Sequence, residues 1–234
     1  MQPILKSAPL AVIAYERIKQ SILDGSLAPG QMIYEFQLAQ ALETSRTPVR
    51  EALIRLEQEG WLLPADGRGL IVQPLSPHRI EDIYEMRLFL EPRAARYFAE
   101  QADDEIVATL LAPVEEIEGQ IEVGRYELYF TAHRTLHQNF VAHCRNLILK
   151  DMLASLNERM ERVRILTGYE PSRHVRASFE EQKAILQALK RRDMEQVEVC
   201  VAAHLIASRE RVLTQLAAGT TFQHVNESYG GLTR

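Results

Sequence analysis

Apolar residues recur at helical spacing through most of the chain, and the breaks in that period define its elements. From Ser45 to Leu62, in SRTPVREALIRLEQEGWL, Val49, Ala52, Leu53 and Leu56 mark one buried face of a helix. Glu35–Leu42 reads as a shorter helix with Phe36, Leu38, Ala39 and Leu42 along one side, and Glu43–Ser45 is the turn between the two. Gly60 stands where the longer helix would end. Leu62–Pro64 and Leu70–Val72 flank the tip Ala65-Asp66-Gly67-Arg68-Gly69, which predicts a hairpin. Two short helices, a tight turn and a following hairpin spell a winged helix-turn-helix.

After a linker at Gln73–Pro77 the pattern is helical almost to the end. Ser76 caps and Pro77 opens a helix to about Ala102, with Pro92 as a possible kink point. Asp103 starts a second helix to about Val123, interrupted by Pro113. Arg125–His143, Asn146–Thr167, Pro171–Lys190 and Asp193–Ala217 follow, with Asn146 and Asp193 as N-caps and Gly168 as a terminator. Six consecutive helices predict an all-α bundle able to hold inward-facing polar residues. The expected fold is therefore mostly α: a winged helix-turn-helix over 1–75, a helical bundle over 76–218 and a mobile tail over 219–234.

Charge gives the first helix pair a chemistry. Thr47 reads as an N-cap and Pro48 as the first helical residue, because proline's missing N–H would be unpaired there. Arg46, Arg50 and Arg55 then project near the leading end of the helix. A helix packed on one side that offers guanidinium groups at its tip suits a DNA major groove, where arginine reaches phosphates or the O6/N7 edge of guanine. Arg68, at the hairpin tip beside Gly67, is placed to enter the minor groove. The bland alternative is an amphipathic surface helix. The 234-residue chain carries a net charge of −5, and residues 1–75 hold seven Lys/Arg against eight Asp/Glu, so it is no nonspecific nucleic-acid coat. A DNA binder with this balance must concentrate its positive charge locally and double it in a homodimer.

Seven histidines are scattered along the chain, of which His133 and His137 lie four apart and share a helix face, as a two-toothed metal clamp requires. A chance pair on a helix is the alternative. No run of eighteen apolar residues is present, so no transmembrane helix is expected, and the opening MQPILKSAPLAVIAYERIK has no signal-peptide layout. Cys144 and Cys200 lack metal or redox spacing, which fits a reduced, cytoplasmic setting. An enzyme is not expected. HRTLH lacks the glutamate of H-E-x-x-H, there is no G-x-S-x-G elbow, and neither cysteine has an evident activator. A plain protein-interaction bundle is the third class.

The residues also resemble a known family. Tyr15–Leu75, through YERIKQSILDGSLAPGQMI, the E-x-x-L-A of Glu35 to Ala39 and SRTPVREAL-x-R-L-x-x-E-G-W, is similar to the winged domain of GntR-family transcription regulators. One departure is Glu43-Thr44, where the family usually has Gly-Val; Glu43 is strained if the turn needs positive φ. Ser76–Ala217 resembles the FCD effector-binding domain of the FadR subfamily. The matching pieces are Y-E-M-R-L-x-L-E-P-x-A (Tyr84 to Ala94), L-H-x-x-F (Leu136 to Phe140), R-N-x-x-L (Arg145 to Leu149) and S-x-x-E-x-x-x-I-L-x-A-L (Ser178 to Leu189).

The resemblance implies a ligand-responsive regulator, usually a repressor, that binds an operator in double-stranded DNA as a homodimer. It also implies a divalent metal at His133 (usually Asp), His137, Gln182 (usually His) and His204. Three imidazoles suit Zn²⁺ or Ni²⁺, and the missing carboxylate favours an anionic fourth ligand such as a small organic acid. Arg87 and Arg164 are candidate partners for that acid, since arginine offers a planar two-toothed donor; ion pairs with glutamates are the alternative for both. A metal-free pocket, in which the histidines hydrogen-bond the effector, is the alternative for the cluster.

Overall fold

A computed structural model describes residues 10–65, 69–166 and 174–217. Gly67 and Arg68 of the wing tip, the helix signals at Gly168 and Pro171 and the expected tail lie outside the described residues. The chain forms two compact units: residues 10–76 together with 161–166, the end of one helix, and the remainder from Pro77 onward.

In the first unit the order is α1 (Leu10–Leu23), β1 (Met32–Ile33), α2 (Glu35–Ala41), α3 (Arg46–Gln58), β2 (Leu62–Pro64) and β3 (Leu70–Val72). The apolar stripe of α3 buries Val49, Ala52, Leu53 and Leu56 against Ala14, Tyr15, Ile18 and Ile22 of α1. The α3 helix begins two residues earlier than the sequence suggested. Ser45, extended at φ −76 and ψ 164, holds the N-cap position, so Thr47 does not cap and Pro48 is third in the helix. Proline is tolerated there because the first N–H groups of a helix lack partners in any case. Phe36 is a second correction: it is 64% exposed, and Ala39 is the buried residue of α2.

Both helices end on the same device. Gly60 N–H bonds the Glu57 carbonyl and Trp61 N–H bonds that of Leu56, a Schellman closure with Gly60 at φ +72. At the end of α2, Glu43 and Thr44 make the matching bonds to Gln40 and Ala39, but Glu43 itself adopts φ +51. A side chain in that region costs about 1–2 kcal/mol, so the departure from glycine is a strained one. The hairpin pairs Leu62 with Val72 and Pro64 with Leu70, and β1 adds a third strand through Met32 and Ile71, in the order β1-β3-β2. Sequence analysis missed β1, because two residues carry no period.

The second unit holds α4 (Pro77–Gln101), α5 (Asp104–Leu111), α6 (Val114–Glu122), α7 (Glu127–Ala142), α8 (Leu147–Leu166, whose end belongs to the first unit), α9 (Val175–Lys190) and α10 (Met194–Ala217). The expected second helix is thus two, broken around Pro113. Asp103, Asn146 and Asp193 cap α5, α8 and α10 by accepting backbone N–H bonds at 2.8–3.2 Å. α10 packs along α4 and α9, and α4 also meets α7. The core between them includes Ala94, Phe98, Leu136, Phe140, Ile185, Leu189, Val201 and Leu205. No helix among the described residues is long and apolar enough to cross a membrane.

Candidate metal centre and nucleic-acid interface

In the bundle, α7 supplies His133 and His137 one turn apart, and α10 brings His204 against them. One ring nitrogen from each lies within 4.8 Å of the others. The ring centroids are separated by 4.6, 5.2 and 5.4 Å, and the Nε2 atoms of His133 and His204 by 3.2 Å. Zinc bonded to two nitrogens at 2.0–2.1 Å in a tetrahedron sets them about 3.3 Å apart, so this edge already has the required length. Gln182 of α9 is buried, as are His137 and His204. His137 Nε2 and Gln182 Oε1 are buried with no hydrogen-bond partner among the described residues. Two orphaned polar atoms beside two more imidazoles form a donor set that fits a cation, which would satisfy both.

Two glutamates that the sequence reading did not single out stand behind the histidines. Glu91 of α4 bonds His137 Nδ1, and Glu181 of α9 accepts from His204 Nδ1 at 2.8 Å. Each glutamate is held in turn by an arginine. Arg87 reaches Glu91 at 2.9 Å from the preceding turn of α4, and Arg211 of α10 grips both Glu181 oxygens at 2.7 Å. Burial pushes the Glu91 carboxyl up, but Arg87 and His137 outweigh it and hold the group well below the usual carboxylate range. Burial opposes Glu181 in the same way, and the bonds from Arg211 and His204 bring it to about 2. Burial depresses His204 so that its neutral form is favoured, against the pull of Glu181. Neutral imidazole is the form that ligates metal.

The two arginines expected to meet an effector are both found in ion pairs. Arg87 is buried against Glu91, and Arg164 pairs with Glu161 at 2.9 Å on the exposed end of α8 that belongs to the first unit. The missed glutamates sat inside quoted motifs. Glu91 lies four after Arg87, and Glu181 is the central glutamate of the α9 pattern next to Gln182. Helical spacing pairs Glu91 with Arg87, yet nothing local points either glutamate at a histidine on another helix.

In the first unit, the solvent side of α3 shows Arg46, Thr47, Arg50, Glu51, Ile54 and Gln58, all exposed. Arg46 and Arg50 converge on Glu35, at the start of α2, with contacts of 2.7, 2.9 and 3.0 Å. The bond from Arg50 is the main cause that holds Glu35 below its ordinary value. Arg55 faces elsewhere. Its guanidinium lies 3.7 Å from the centre of the Tyr15 ring and bonds Glu59 at 2.9 Å, while Glu59 also accepts from Tyr15 and Trp61. That arrangement favours a packing role for Arg55 over a DNA contact. Ile54, 49% exposed one turn beyond Arg50, is an apolar member of this solvent-facing row that the sequence reading passed over.

Comparison with known proteins matches residues 10–72 to bacterial regulatory proteins of the gntR family and residues 82–207 to the FCD domain. The chain belongs to the GntR family. Among its relatives, the HTH-type transcriptional regulator YdhC of Bacillus subtilis is 30% identical over 200 residues, covering 85% of this chain and 89% of that one. The Nta operon transcriptional regulator of Aminobacter aminovorans is 31% identical over 193 residues, covering 82% and 90%. The solved structure of McbR/YncC from Escherichia coli superposes with a TM-score of 0.68 at 25% identity, over 90% of this chain and all of that one. This GntR protein is thus a DNA-binding transcriptional regulator with a winged helix-turn-helix and an FCD domain. The names of its relatives point to regulation of transcription and not to enzymatic turnover.

Proposed function

We propose that this regulator is a cytoplasmic homodimeric repressor whose grip on its operator is set by a small carboxylate, bound on a divalent metal held by His133, His137, Gln182 and His204. The observation that carries the reading is the donor set itself: three converging imidazoles with the orphaned His137 Nε2 and Gln182 Oε1. The metal would supply a Lewis-acid anchor for an anion. Arg87 with Glu91 and Arg211 with Glu181 form two neutral pairs, so a dication among neutral donors is left uncompensated. An anionic ligand added to these four donors removes that imbalance. With Arg87 committed to Glu91, the acid is recognised chiefly by the metal.

On the DNA side, α3 of each subunit would enter one of two successive major grooves of a short pseudo-palindrome. Arg46, Thr47 and Arg50 would supply phosphate and base contacts there, and Gly67 and Arg68 of the wing would approach the neighbouring minor groove. Effector binding alters operator affinity only if it favours one placement of the two DNA-reading units, which the linker at Gln73–Pro77 would set.

A thermal-shift screen of small organic acids on the full chain, with and without Zn²⁺ or Ni²⁺, tests this. A true effector stabilises the protein only when metal is present, by about 2.7 kcal/mol at one hundred times its Kd. The same acid should change operator affinity in fluorescence anisotropy. Equal stabilisation with and without metal, lost on His137→Ala, would favour the metal-free pocket instead.

A further inference from the structure

The carboxylates behind the histidines support an inference that rests on the metal reading above. A neutral imidazole that donates from one ring nitrogen keeps a lone pair on the other. His204 meets Glu181, and His137 meets Glu91, through Nδ1 in both cases. An ionised carboxylate can only accept, so each ring donates from Nδ1, and in its neutral form presents Nε2 as the bare nitrogen. Those Nε2 atoms are the ones turned to the cluster. That of His204 lies 3.2 Å from His133 Nε2, and that of His137 is buried and unpartnered among the described residues. Neither glutamate can easily swing away, because Arg87 and Arg211 hold them as well. The repeated order Arg–Glu–His, built from α4 and α7 on one side and from α9 and α10 on the other, converges on a site whose own donors are all uncharged.

We propose that Glu91 and Glu181 are positioning residues of the metal centre: each fixes one histidine in the tautomer and orientation that aims Nε2 at the ion. Carboxylates placed behind metal-bound histidines raise ligand basicity, and losing one typically costs 10- to 100-fold in metal affinity.

The test uses the full chain and metal alone. Zn²⁺ affinity is read by competition with a chromophoric chelator, and the protonated ring nitrogen by long-range ¹⁵N–¹H NMR of the metal-free protein. Glu181→Gln, the less buried position, should weaken Zn²⁺ binding by about 10- to 100-fold. It should also mix the two His204 tautomers and leave helical circular dichroism unchanged. Glu181→Asp should recover part of the affinity. Glu91→Gln should act alike at His137, and if it unfolds the bundle the Glu181 variants still decide. A purely structural ion pair would lower thermal stability without moving the His204 tautomer or the visible spectrum of the Co²⁺-loaded protein. Parent-like Zn²⁺ affinity and an unmoved tautomer in Glu181→Gln overturn the proposal and leave the metal reading standing. A parent chain that takes up neither Zn²⁺ nor Co²⁺ overturns both.

Discussion

Glu35 and Glu91 each hold guanidinium groups at close hydrogen-bonding distance, yet one lies at the surface of the winged unit and the other in the core of the bundle. The side chains of Arg46 and Arg50 are 61% exposed over Glu35, whereas those of Arg87 and Glu91 are 4% and 3% exposed. At the surface, water competes for both partners and the pair adds little to stability. Its arginines are therefore free to exchange a carboxylate for a phosphate or a guanine edge. In the core nothing can replace the partner, and removing one half strands a buried charge. The same chemistry thus gives exchangeable contacts on the face proposed to meet DNA and fixed ones behind the buried histidine.

Breaking the buried pair should have the largest effect. Glu91→Ala leaves Arg87 uncompensated and should cost about 3–5 kcal/mol of unfolding free energy in urea melts. Removing both charges together, in Arg87→Met with Glu91→Leu, should restore most of that stability because no charge is left behind. A double variant as unstable as the single one would show that the loss comes from packing and not from the stranded guanidinium.

Next comes the exposed side. On the proposed docking, Arg50→Ala should weaken operator binding by about 1–3 kcal/mol at each half-site, with helical circular dichroism and melting temperature unchanged. Operator affinity and discrimination equal to the parent would remove Arg50 from the interface and with it the proposed orientation of α3.

The two regions also differ in how far the sequence disclosed them. The winged unit was legible nearly to the residue, because its signals are local: the stripe of α3, Gly60 after it, and a hairpin whose strands fall on the expected positions. Its errors are local too. Ser45 takes the cap expected of Thr47, and Phe36 turns outward because a helix of only seven residues does not constrain which of its apolar side chains is buried. In the bundle the helices and the His133–His137 pair were legible by period. The carboxylate layer was not: Glu91 and His137 are 46 residues apart, and Glu181 and His204 are 23 apart, on different helices. Contacts of that kind depend on how helices rotate against one another, which the core fixes and no periodicity encodes.

The smallest effect on stability, and the sharpest test of the contrast, belongs to Glu35. Its pairs with Arg46 and Arg50 are exposed, so Glu35→Ala should change unfolding free energy by less than about 1 kcal/mol. DNA binding should respond in two directions at once. Loss of one negative charge beside two arginines raises affinity for any duplex and steepens its dependence on salt by up to about one unit of log–log slope per subunit. Loss of the acceptor that fixes both side chains removes their shared orientation, so discrimination between operator and random sequence should fall. Anisotropy titrations of both duplexes over a range of salt separate the two terms. Unchanged discrimination with a steeper slope would mean that Glu35 only offsets charge. A fall in discrimination with the slope unchanged would mean that it only orients, and a fall accompanied by steepening is what a carboxylate doing both requires.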